Sequence, residues 1–133
     1  MKKILIAYEG EEPGQRAFQQ GADLARAFGA DLSVISVTPW IWGRVPMDPW
    51  DDAEAHARAL KAAATWLSHR GLTAELLSPA GDPAQTIEEV AKAGAFDTIV
   101  VGSRGLGSVS RFMQGSVSEH VATNAKASVV VAR

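Results

Sequence analysis

The chain has 133 residues, 47% of them apolar, a formal charge of −2 and no cysteine. That length suits one domain with one substantial core, here spanning residues 1–133. The missing cysteines exclude disulfides, thiolate catalysis and Cys-based zinc sites and fit the cytoplasm, and the scattered lysines and arginines argue against nucleic acid as the main partner.

Ile4–Tyr8 is a near-continuous apolar run, the pattern of a strand buried on both faces in a parallel sheet. Met1-Lys2-Lys3 ahead of it could open a signal peptide, but the run is too short and Glu9-Gly10-Glu11-Glu12 interrupts it. No stretch is long enough to cross a bilayer. A helix is expected from Pro13 or Gln15 to Phe28, with Phe18, Ala22, Ala25 and Phe28 on one face and Gly29 as its stop. Leu32–Val37 reads as the second strand. Thr38 to Trp50 is a long loop carrying Pro39, Pro46, Pro49 and three tryptophans. Loops of this length are usually functional or mobile.

Asp51-Asp52-Ala53-Glu54 starts a second helix with a cap and acids in the first turn. It is expected to run to His69 or Arg70, with Leu60, Ala63, Ala64 and Leu67 inward and Gly71 after it. Thr73–Leu77 is a short strand with Glu75 at its centre, so an edge. Asp82 and Pro83 supply the cap and first residue of a third helix, which ends at Ala93 and turns Ile87, Val90 and Ala91 inward. Thr98–Val101, Ser116–Asn124 and Ser128–Ala132 complete the series as strand, helix and strand. The alternation βαβαβαβαβ implies an α/β fold, a doubly wound open parallel sheet of five strands with helices on both faces.

The stretch from Gly102 to Ser116 carries the chemistry. It joins the end of the fourth strand to a helix start through Gly102, Gly105, Gly107 and Gly115. Glycines admit close approach of backbone N–H groups to an anion, and a helix N-terminus adds unpaired donors. Two familiar phosphate motifs fail. The glycine order is G-x-x-G-x-G, not G-x-G-x-x-G, and Ser108 stands where a P-loop needs lysine.

What remains, G-x2-G-x9-G-S, resembles the nucleotide-binding motif of the universal stress protein family. The opening Lys3–Tyr8, the Gly81-Asp82-Pro83-Ala84 turn and the closing Val129-Val130-Val131 extend that resemblance over the whole chain. It implies a Rossmann-like sheet order of 3-2-1-4-5. The topological switch then lies between the first and fourth strands, where ligands of such sheets bind. The residues there are Ala7 to Gly10 and Gly102 to Gly107.

The resemblance also implies roles. Gly102, Ser103, Arg104, Gly105, Gly107, Gly115, Ser116 and Val117 would surround the phosphates, and Val37 would meet adenine through its main chain. Glu9 stands where the family usually has an aspartate that accepts from ribose. Each has a plainer reading. The glycines serve turns, and Ser116-Val117-Ser118-Glu119 matches a capping box. Arg104 and Arg111 are either phosphate clamps or solvated loop residues, Glu9 either a ribose ligand or a solvated acid, and Val37 also reads as core. Val109, Phe112 and Met113 read as one helical turn under the loop. Trp40, Trp42 and Trp50 are a lid, a partner patch or side chains folded over helices.

His56, His69 and His120 lack metal-ligand spacing; the first two read as exposed and the third as packing. No catalytic constellation stands out, so no enzyme activity is expected. The expected ligand is an adenine nucleotide, ATP ahead of ADP or AMP, with Mg²⁺ as an optional companion and no protein metal site. The expected assembly is a cytoplasmic homodimer paired through Ser128–Ala132. The rivals are an interaction module of the same fold without nucleotide and a slow nucleotide hydrolase or phosphotransferase.

Overall fold

The computed structural model describes residues 1–8, 12–39, 53–102, 121 and 125–132. Its elements are β1 (Lys3–Ala7), α1 (Glu12–Phe28), β2 (Asp31–Ile35), β3 (Thr38–Pro39), α2 (Ala53–Ser68), β4 (Glu75–Leu77), β5 (Ala80–Gly81), α3 (Pro83–Ala93), β6 (Thr98–Gly102) and β7 (Ser128–Ala132). Five strands form one parallel sheet in the order β4-β2-β1-β6-β7. Counted over those five members in chain order, this is the expected 3-2-1-4-5. The difference is a separate two-stranded sheet, β3 with β5, which two-residue segments are too short to announce.

Strand alternation sorts the core into two layers. Ile4, Ile6, Val34 and Val100 face Ala17, Phe18, Ala22 and Ala25 of α1 and Leu60, Ala63 and Leu67 of α2. Leu5, Ile35, Ile99 and Val101 face Ala84, Ile87 and Ala91 of α3, with Val121 beside them. Helices therefore cover both faces of the sheet. Helix α1 comes close to β1 at Gly21, where a Cβ would lie 2.6 Å from Ile6 Cγ1. Gly29, at φ 62°, turns the chain out of α1 as expected. Asp82 caps α3 by accepting from the Gln85 N–H at 3.0 Å, with Pro83 in the first turn.

Three details depart from expectation. Phe28 is 57% exposed rather than inward, because it sits in the last turn of α1, immediately before the chain reverses toward β2. Ala64 and Val90 are only half-buried, at the borders of their inward stripes. His56, expected at the surface, is fully buried. It lies four residues before Leu60, so it continues the inward stripe of α2 back by one turn.

An aromatic row ties β1, α1 and α2 together. The Tyr8 ring lies 4.9 Å from Phe18, and Phe18 meets Trp66 edge-on at 5.0 Å. Arg70 stacks 3.5 Å above Trp66.

At the opposite end of the sheet, Asp97 fastens the start of the chain. Its Oδ2 accepts from the Lys2 and Lys3 N–H groups at 2.7 and 3.1 Å, and its Oδ1 from the Thr98 hydroxyl at 2.7 Å. Lys3 itself donates to the Gly94 carbonyl and lies over the Phe96 ring. The Lys2 N–H, then the Thr98 hydroxyl, hold the Asp97 pKa below its ordinary 3.8. A depressed folded-state pKa contributes stability above the ordinary value, and that contribution fades as pH falls through the folded value. Asp97→Asn should therefore lower the melting temperature at pH 7, with the gap to wild type closing below pH 3.8. Thermal melts across that range check this; a gap that stays constant with pH would assign the loss to geometry rather than charge.

Candidate functional site

Parallel strands present alternate residues to opposite neighbours, and this decides what the end of β2 offers. The Tyr8 N–H donates to the Ile35 carbonyl at 2.9 Å, so Ile35 faces β1. The Ser36 N–H donates to the Leu77 carbonyl and the Thr38 N–H to the Pro79 carbonyl, both at 2.9 Å, so these two face the β4 side. Val37 lies between them. Its N–H and C=O are turned back toward the β1 side, beyond the last bond of the β1–β2 ladder among the described residues. Its side chain is 2% exposed and anchored in the α3-side core. A main-chain donor and acceptor thus face the crevice while the side chain holds them in place.

The other wall is β6. It runs beside β1 and ends at the buried Gly102, opposite Ala132 of β7. From β1 the next sheet strand in sequence lies on one side, and from β6 on the other, so the crossovers diverge between them. This is the switch point at which open α/β sheets bind ligands. Ala7, Val37 and Gly102 are brought together at it. Glu9, Ser103, Arg104, Gly105, Gly107, Gly115, Ser116 and Val117 lie outside the described residues, as do Arg111, His120 and the three loop tryptophans. Of the expected fourth helix, Val121 is described. It has helical backbone, is fully buried, and its carbonyl accepts from the Ala125 N–H at 2.9 Å.

Several polar groups near the crevice went unanticipated. Ser36 and His56 are both fully buried, and Ser36 Oγ lies 2.5 Å from His56 Nδ1. The Thr38 hydroxyl is buried without a hydrogen-bond partner among the described residues. Tyr8 is 6% exposed, and burial raises its pKa against the opposing pull of a hydrogen bond with Gln15, so it is neutral at physiological pH. Two signals for the Ser–His pair exist in the sequence: a serine interrupting the apolar Val34-Ile35-Ser36-Val37, and a histidine in register with Leu60.

A main-chain donor and acceptor turned toward the switch point fit a ligand with a polar edge, such as a nucleobase. Among the described residues no group of His, Asp or Glu could hold a metal ion, and no helix is long and apolar enough to cross a membrane. A cavity of about 520 Å³ lies elsewhere, at the amino end of the sheet between α3 and residues 125–127, and holds none of the expected site residues.

Comparison with known proteins agrees with this fold. The Thermus aquaticus protein named Universal stress protein in QAH/OAS sulfhydrylase 3'region is 32% identical over 135 residues, covering 99% of this chain and 98% of that protein. The structure of the universal stress protein UspA from Lactobacillus plantarum superposes with a TM-score of 0.83 at 27% identity, covering 99% of this chain and 97% of the other. A universal stress protein from Archaeoglobus fulgidus in complex with dAMP shares the fold, with a TM-score of 0.77 at 22% identity over 100% of this chain and 98% of the other. The sequence model of the universal stress protein family matches residues 1–133, and the chain belongs to that family.

Proposed function

We propose that the chain binds an adenine nucleotide, ATP foremost, in the crevice between the ends of β1 and β6, and works as a nucleotide-dependent regulatory module in the cytoplasm. The observation that carries this is the main chain of Val37, turned toward the switch point across β1 from the strand end at which the Gly102–Ser116 motif departs. The Archaeoglobus protein of the same fold, in complex with dAMP, supports it.

In this reading the chain's own groups divide the ligand. The Val37 N–H and C=O hold the edge of the base. The Glu9 carboxylate, one methylene longer than the family's aspartate, accepts from ribose. Backbone N–H groups at Gly102, Gly105 and Gly115, with the Ser116 hydroxyl, hold the phosphates, and Arg104 adds charge from the loop. No residue of the chain is assigned the role of general base, so phosphate release from ATP should stay at background.

The deciding measurement is whether adenine nucleotide leaves the purified protein on denaturation, followed by calorimetry with ATP, ADP and AMP, with and without Mg²⁺. The absence of both released nucleotide and binding heat would overturn the reading.

Assembly follows from β7, an outer strand of the sheet. Val129 and Val130 pack on the two cores, whereas Val131 is 42% exposed. An apolar, β-branched edge invites pairing with a second strand, so the proposed homodimer pairs β7 antiparallel with its copy. Val130 packs on the core, so a charge there would disturb the fold. Val131→Lys is the cleaner probe and should convert dimer to monomer in sedimentation equilibrium at micromolar concentration. Wild type sedimenting as a monomer would refute the dimer.

A further inference from the structure

The Ser36–His56 hydrogen bond spans from the end of β2 to the first turn of α2, across twenty residues of sequence. Both partners are at 0% exposure. Burying a hydroxyl and an imidazole costs free energy that hydrogen bonding only roughly offsets, and replacing hydrogen-bonded partners by apolar groups of similar shape is often nearly neutral. Fold stability alone therefore gives little reason for a polar pair at this place. A hydrogen bond adds direction, which apolar packing does not.

The direction acts on Val37. Three constraints meet there. The Ser36 N–H is bonded to the Leu77 carbonyl on the β4 side, the Ser36 side chain is bonded to His56 on the α2 side, and the Val37 side chain is locked in the α3-side core. The Val37 N–H belongs to the peptide unit that begins with the Ser36 carbonyl. Fixing the Ser36 side chain therefore fixes the aim of the Val37 N–H into the crevice.

We propose that Ser36 and His56 are positioning residues that aim the Val37 main chain so that it reads the base of the bound nucleotide. This rests on the nucleotide reading and adds base selectivity to it. A main-chain donor beside an acceptor matches one arrangement of ring nitrogen and exocyclic group and opposes the reverse, so adenine is accepted and guanine disfavoured. Hydrogen bonds weaken steeply away from good geometry, so small shifts in aim translate into lost selectivity.

The test uses the full chain, with AMP, GMP and ribose 5-phosphate as probes in calorimetry. Wild type should prefer AMP. The double variant Ser36→Ala with His56→Leu should melt near wild type, yet lose about ten-fold of the AMP-over-GMP preference, as expected for one misaimed hydrogen bond. Its affinity for ribose 5-phosphate should not change. His56→Asn, whose amide reaches the Nδ1 position, should recover most of the preference. Equal AMP and GMP affinity in wild type, or an unchanged ratio in the folded double variant, overturns the proposal. A second readout needs no variant: the Val37 amide resonance of wild type should shift with AMP and stay put with ribose 5-phosphate. Bound AMP with an unmoved Val37 resonance defeats the positioning role alone. A wild type that binds neither AMP nor ribose 5-phosphate defeats the nucleotide reading and this proposal with it.

Discussion

Gly21→Val should abolish or severely weaken cooperative folding. Gly21 sits in the middle of α1 on the face that meets β1. A Cβ there would lie 2.6 Å from Ile6 Cγ1, closer still to Ile6 Cδ1, and 3.6 Å from Val100 Cγ2. Ile6 and Val100 are both at 0% exposure, so the isoleucine has no solvent into which to swing. Alanine would gain about 1 kcal/mol of helix propensity over glycine. Overpacking a filled core costs typically about 1–3 kcal/mol, so even Gly21→Ala should destabilise. Valine adds two methyl groups to the same gap, and its cost should reach or pass about 3 kcal/mol, a large share of the roughly 5–15 kcal/mol that holds a domain together. For a chain of this size each kcal/mol lowers the melting temperature by about 3–5 °C. Thermal melts of the two variants check this. A Gly21→Ala protein that melts at or above wild type would mean that Ile6 finds another rotamer and that propensity wins.

That close approach shows where reading the sequence succeeds and where it stops. Periodicity was enough for the five strands of the main sheet and for α1, α2 and α3, because apolar runs and three- to four-residue stripes report burial directly. The Asp82–Pro83 helix start and the Gly29 stop were legible because they depend on a few adjacent residues. The edge position of the strand expected over Thr73–Leu77, and observed as Glu75–Leu77, was legible from the charge of Glu75. Long-range partners were not. Nothing near Gly21 announces Ile6, and nothing near Asp97 announces the Lys2 and Lys3 amides that it holds. His56 departs from the expectation that a lone histidine near a helix start stays in water, and a hydrogen bond to the Ser36 hydroxyl across the layer helps to make its burial tolerable. In the site, the family motif pointed to the crevice, while the turn of the Val37 main chain toward it needed the hydrogen-bond ladder.

The largest effect on binding is expected from Gly115→Val. Gly102 closes β6 and is the first glycine of the motif; Gly115 lies outside the described residues. Phosphate held by backbone N–H groups requires that the chain come within hydrogen-bond distance of the oxygens, which a side chain branched at Cβ obstructs. Valine also confines φ to negative values, so a loop shaped around glycine cannot keep its amides converging on one point. Hydrogen bonds to a charged group are worth about 1.5–3 kcal/mol each, so losing one should weaken ATP binding by about ten- to one-hundred-fold, and losing two by more. The substitution leaves the Ser116-Val117-Ser118-Glu119 sequence unchanged, so the ligand-free variant should melt near wild type. Arg104→Ala separates the two sources of phosphate affinity. A solvated loop arginine acts through charge that salt screens, so its loss should cost less and should matter less as ionic strength rises. The Gly115→Val defect should persist at high salt, because it removes aligned donors. Calorimetric titrations of ATP into the three proteins at low and high salt measure both effects. Equal ATP affinity in wild type and Gly115→Val would remove the glycine motif from the phosphate site and leave Val37 and the switch point as the remaining support for a bound nucleotide.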